Sequence, residues 1–169
     1  MGSLLKAARG LAKAMHLVSG VILVVMMATI ILDIIVRWLF GATEGAVDLT
    51  FRGAVEIVSY GLLFMVLFSL PYSVNRGQVI VDLFTERMTE KAKKALAGFY
   101  TLGFGLLGLG MSLRFFESME RTAQSGETTQ DLLIPLSYIY ALATFATTVL
   151  AIRGLLIAYQ EVAESAKDS

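Results

Sequence analysis

The chain has 169 residues, of which 56% are apolar and 17% charged, and its formal net charge is zero. A mean hydropathy of +0.71 excludes an ordinary soluble domain, and the zero balance leaves only the distribution of charge informative. There is no cysteine and His16 is the sole histidine. A disulfide, a thiolate nucleophile, an iron–sulfur site, a bis-histidine haem and a multi-histidine metal site within this chain are therefore excluded, and no cofactor is expected.

Four runs lack Asp, Glu, Lys and Arg: Ala14 to Leu32, Ile57 to Val74, Ala95 to Leu113 and Leu132 to Ile152. Each reaches the roughly 18 residues that mark a spanning helix, and none has the polar face that a water-facing helix needs. The expected fold is an all-α membrane protein, a single domain of four transmembrane helices with short amphipathic interfacial helices. The spans are placed at about 14–39, 55–74, 92–116 and 131–157 of the 169 residues.

The N-terminal segment alternates Leu4, Ala8, Leu11 and Met15 with Lys6, Arg9 and Lys13, a spacing that suits a short amphipathic helix in the headgroup layer. The apolar run behind it is too long for a signal peptide and has no small-residue cleavage site, so it is read as an uncleaved first span. His16 is expected at headgroup level. Asp33 and Arg37 share a helical face near the far end of this span and can pair.

Residues 41 to 56 form the first outer connection. Glu44, Asp48, Arg52 and Glu56 recur every four residues, which predicts an amphipathic helix bending near Gly53 into span two. The charged stripe is either a solvated face or a docking surface. Pro71 should kink the end of span two, and Arg76-Gly77-Gln78 turns the chain towards Asp82. In the inner connection Arg87, Lys91 and Lys94 make a basic stripe, and Thr89 is a candidate N-cap for span three.

Span three repeats small residues at Ala97, Thr101 and Gly105, and again at Gly108 and Ser112. Lipid cannot drive helices together hydrophobically, so such rows mark packing faces. This one could meet another span or a partner. The helix is expected to run outward to Arg121, with Glu117 and Arg121 paired and Glu120 beside them. Asp131 can cap span four, Pro135 falls near its first turn, and Ala143, Thr147 and Ala151 form a second small-residue row.

Lys6, Arg9, Lys13, Arg76, Arg87, Lys91, Lys93, Lys94, Arg153 and Lys167 fall on one side of these spans, against Arg37, Arg52, Arg114 and Arg121 on the other. The positive-inside rule then places both termini in the cytoplasm. Asp33, Glu44, Asp48, Glu56, Glu117, Glu120, Glu127 and Asp131 make the outer rim acidic.

Every Asp, Glu, Lys and Arg lies at or beyond the end of an apolar run, whereas ion-coupled carriers keep ionisable groups near the midplane. No catalytic constellation, phosphate loop or metal-ligand spacing is present, so the chain is not read as an enzyme, and no nucleic-acid partner is expected. The residues leave three readings: a scaffold or docking subunit, a small autonomous or homo-oligomeric transporter, and the membrane anchor of an enzyme complex.

Arg37-Trp38-Leu39-Phe40 at the end of span one, Glu56 opening span two and Arg76-Gly77-Gln78-Val79-Ile80-Val81-Asp82 on the inner side resemble the small membrane subunit of tripartite ATP-independent periplasmic (TRAP) transporters, the DctQ-like family. Leu133-Ile134-Pro135-Leu136 before Tyr138 and Tyr140 is similar to that family's opening of span four. Gln78 stands where many members have histidine. Both side chains donate a hydrogen bond, which would keep the turn, while a role that needs an imidazole is left open. The resemblance implies a large membrane subunit that binds substrate and sodium, and a periplasmic substrate-binding protein that delivers a small organic acid or related solute. It also implies a bacterial inner-membrane location and a static scaffold role for this chain among lipids. Asp33, Arg37 and Glu56 are then candidates for outer-interface pairing or large-subunit contact. Glu44, Asp48, Arg52, Glu117, Glu120 and Arg121 are candidates for docking the binding protein.

Overall fold

The computed structural model describes residues 2–46, 49, 53–74 and 89–167. These contain four long helices: α1 (Gly2–Ala42), α2 (Ala54–Ser73), α3 (Glu90–Ser125) and α4 (Leu136–Lys167). All four are long and apolar enough to cross a membrane.

With 41 residues, α1 is about 60 Å long, twice the hydrocarbon thickness of a bilayer. The interfacial segment expected before span one is thus not a separate helix but the first turns of α1. No proline interrupts it, and Gly10 and Gly20 each cost only about 1 kcal/mol of helix propensity, too little to break a helix continued on both sides. The helix stops in a Schellman motif. The Gly45 N–H donates to the Phe40 carbonyl at 3.0 Å and the Glu44 N–H to the Gly41 carbonyl at 3.4 Å. Glu44 holds the left-handed position with φ 48°, which corrects the helix expected over 41–56: its first residues are a turn. The Asp48 and Arg52 members of that stripe, and the Arg76, Gly77, Gln78 and Asp82 turn, lie outside the described residues.

Gly53 precedes α2 without a side-chain cap, and Glu56 in the first turn complements the helix dipole. Pro71 sits two residues before the end of α2, completely buried. Thr89 directly precedes α3 and its carbonyl accepts the Lys93 N–H at 3.1 Å. α3 continues past Arg114 to Ser125, where Gly126 at φ 70° ends it. α4 begins only at Leu136, so Asp131 does not cap it. The intervening residues instead close into a tight loop with a β-bridge between Thr128 and Pro135.

The helices form two hairpins, α1 with α2 and α3 with α4, joined chiefly through α4. Half of the apolar window of α4 is buried, against 11% for α1. Met15 of α1, Leu67 of α2 and Ala143, Ala146 and Val149 of α4 make the shared core.

The α3–α4 seam is built from missing side chains. A Cβ on Gly154 would lie 2.7 Å from the Gly105 Cα, and one on Gly108 would lie 2.7 Å from the Ala151 nitrogen. The backbones therefore touch, as small-residue faces allow. Thr101, Gly105 and Gly108 are buried in this seam, facing α4 of the same chain, and Ala97 at its end is half-buried. Ser112 and Thr148 share a hydrogen bond of 2.7 Å across it. On α1–α2 the close point is Gly61, where a Cβ would lie 2.6 Å from Met26 Sδ. Large apolar side chains elsewhere point outward, among them Trp38 of α1 and Phe99 of α3.

Candidate functional site

Most of the predicted outer-rim residues lie towards the end of the bundle that holds the α1–α2 and α3–α4 connections, in separate groups. The most connected of them is Glu56. Its Oε1 accepts the Gln130 N–H at 2.7 Å and its Oε2 accepts the Leu132 N–H at 2.7 Å, while the Asp131 N–H points at Oε1 from 3.4 Å. One carboxylate thus takes successive backbone donors of the loop ahead of α4, an arrangement that needs both oxygens and suits a negative charge.

The loop is also tied to itself. The Thr129 N–H donates to the Ile134 carbonyl at 2.9 Å, and the Ile134 N–H donates to Thr129 Oγ1 at 3.1 Å. The Leu136 N–H reaches the Glu127 carbonyl at 3.0 Å. Thr129 is buried at the centre of these bonds. The consequence falls on Leu133, which adopts a left-handed φ of 54° with 69% of its surface exposed. A non-glycine residue held there costs about 1–2 kcal/mol and persists only where its surroundings over-determine it. The clasp therefore presents Leu133 and the half-exposed Ile134 outward as an apolar tip. A cleft lined by Glu56, Ser59, Tyr60 and Thr129 runs beside it.

Asp33 and Arg37 pair on α1, Arg37 Nε donating to Asp33 Oδ2 at 2.8 Å. Asp33 Oδ1 is buried without a hydrogen-bond partner, and the Arg37 side chain is largely exposed. Glu56 does not share in this pair: its bonds run to the loop. Glu117 takes Arg114 Nη1 at 3.2 Å instead of the expected Arg121, because positions three back and four ahead are equally near on a helix. Glu120, Arg121 and Glu44 are exposed on the same rim.

The sequence sets Glu56 in the outer charged stripe and beside Asp33 and Arg37 as a pairing candidate, and carries no sign of the partners it has. These are backbone amides, which leave no residue-type signal. Leu133 stands out only as part of the Leu133-Ile134-Pro135-Leu136 motif, and nothing in the residue pattern marks Gly154.

Deeper in the spans the hydroxyl groups are consumed locally. Thr144 donates to the Tyr140 carbonyl at 2.8 Å and Thr147 to the Ala143 carbonyl at 2.8 Å. Thr148 donates to the Thr144 carbonyl at 2.7 Å. Back-bonded hydroxyls of this kind are packing groups. No group of three or more His, Asp or Glu side chains that could hold a metal ion occurs among the described residues.

Comparison with curated proteins and with solved structures gives no match. The family model of the DctQ component of tripartite ATP-independent periplasmic transporters matches residues 9–164, which takes in all four helices and the clasped loop. A match over nearly the whole chain assigns it: this chain belongs to the DctQ family, the small membrane component of TRAP transporters.

Proposed function

We propose that this chain is a non-catalytic scaffold that braces the large ion-coupled subunit of a TRAP transporter and helps dock the periplasmic binding protein. The transport served is sodium-driven uptake of a small organic acid or related solute across the bacterial inner membrane, with both termini of this chain cytoplasmic. The observation that carries the reading is the uneven burial of the four spans, 50% for α4 but 11% for α1 and 17% for α2. The α3–α4 seam is closed, although only 28% of the apolar window of α3 is buried, whereas the N-terminal hairpin leaves long apolar faces for lipid or another membrane protein. The charges sit at the ends of the uncharged runs, and Thr144, Thr147 and Thr148 of α4 are spent on carbonyls, which supports bracing over carrying.

Within this scheme α1, with Asp33 and Arg37 at its outer end, meets the large subunit. The rim of Glu44, Glu117, Glu120 and Arg121, together with the Leu133–Ile134 tip, meets the binding protein. Reconstitution tests the proposal. The chain alone in vesicles gives no uptake, and adding the large subunit and the binding protein restores it. Coupled uptake by the isolated chain would overturn it.

A further inference from the structure

Arg153 of α4 is 4% exposed, and its Nη1 is buried with no hydrogen-bond partner. Its guanidinium carbon stands 5.8 Å from the centroid of the Tyr72 ring of α2, and Arg9 of α1 adds a second positive charge on this side. Tyr72 in turn stacks on His16 of α1 at 4.8 Å. Among the described side chains no acid is at hand: there is no Asp or Glu in 2–32, 57–74 or 132–160, the stretches of α1, α2 and α4 that converge here, while Asp82, Glu86, Glu161 and Glu164 lie outside the described side chains. The same stretches bring Lys6, Arg9, Lys13 and Arg153 to this end of the bundle. A guanidinium buried without an anion is costly, and none of the described residues supplies one.

Where these groups sit in the spans indicates what supplies it. Lys13 directly precedes the uncharged run Ala14 to Leu32, Arg153 directly follows the run Leu132 to Ile152, and Tyr72 lies at the end of Ile57 to Val74. All three therefore lie where the hydrocarbon gives way to headgroups, the level of lipid phosphate. Beside Tyr72 runs an open groove lined by Gly10, Lys13, Ala14, His16 and Leu17. Its cationic and aromatic groups border apolar Ala14 and Leu17 one turn further into the span, an amphiphile's own sequence of polarity. A Cβ on Gly10 would meet nothing within 4 Å, so the mouth is unobstructed.

From this juxtaposition we infer that the α1–α2–α4 junction binds an anionic phospholipid, its phosphate held by Arg153 and Lys13 beside Tyr72 and its acyl chain along Leu17. Guanidinium takes phosphate oxygens bidentately, which suits a buried arginine better than a point charge would.

The test is native mass spectrometry of the full chain in a neutral detergent, titrated with phosphatidylglycerol against phosphatidylcholine. The expected result is retention of phosphatidylglycerol. Arg153→Gln should weaken it at least about tenfold. Lys13→Gln should weaken it about fivefold, and Arg121→Gln, at the other end, should leave it unchanged. If Arg153→Gln fails to fold, Lys13→Gln and the phosphatidylcholine comparison decide. Equal retention by all variants would overturn the site. Displacement by millimolar inorganic phosphate would make it a free-anion site, and loss of the lipid on assembly with the large subunit would give the anion to a partner carboxylate; either overturns the lipid. Binding is read on the isolated chain, so the outcome is independent of whether the scaffold proposal holds.

Discussion

The Glu56 carboxylate and the Leu132 amide, 76 residues apart, are joined by a hydrogen bond of 2.7 Å that fastens the start of α2 to the loop before α4. Because the other oxygen holds Gln130, substitution by glutamine removes the charge and leaves one acceptor. For Glu56→Gln we expect a lower melting temperature in detergent and amide exchange at Gln130 and Leu132 about tenfold faster. Exchange along the α3–α4 seam should stay as it was. Unchanged exchange at the two loop amides would mean that the loop holds itself.

The Gly105–Gly154 contact should be intolerant of a methyl group, since a Cβ on Gly154 lands 2.7 Å from the Gly105 backbone. Gly154→Ala is expected to destabilise by about 1–3 kcal/mol, the usual cost of forcing packed elements apart. Gly103 and Gly110 lie on the same helix α3 with nothing within 4 Å of a built Cβ. Alanine there should be neutral or stabilising by up to about 1 kcal/mol. Thermal melts of the three variants, side by side, check the contrast.

Glu44 occupies the left-handed position that ends α1, with φ 48°. Glu44→Gly should stabilise the turn by about 1 kcal/mol, because glycine adopts that conformation without a Cβ clash. The same substitution removes a charge from the outer rim. A chain that melts higher yet docks the binding protein more weakly would separate the two roles of this residue.

Arg37 is exposed while bonded to Asp33, and such a pair is worth less than about 1 kcal/mol by itself. Arg37→Glu should therefore barely alter the melting of the isolated chain but weaken co-purification with the large subunit. The exchange Asp33→Arg with Arg37→Asp restores the internal pair while moving the exposed cation by a helical turn. Assembly that returns to wild type in the double variant would show that the pair serves α1 alone.

Much of the architecture could be read from residue order, because apolar run length reports spans directly and small residues at fours report close packing. Gly105 and Gly108 are legible in this sense, and so is the Asp33–Arg37 pair. Other features depend on which partner wins among several of equal local merit. Glu117 lies as near to Arg114 as to Arg121 along a helix, and only the rotamers decide for Arg114. Asp131 looks like a helix cap until Thr129 and Ile134 close their own loop and delay α4 by five residues. Arg153 reads as one more inner-side cation, and its burial under Tyr72 follows from how three helices converge, which no local pattern encodes.

The position of α4 bears on biogenesis. Of the four helices it is the last to leave the ribosome, yet it supplies most of the joint core and the whole seam for α3. The first hairpin can pair as it is inserted, but α3 must wait in the bilayer with its glycine face open until α4 has been made. A chain stalled before residue 136 would thus present an unmatched helix to the membrane's quality control.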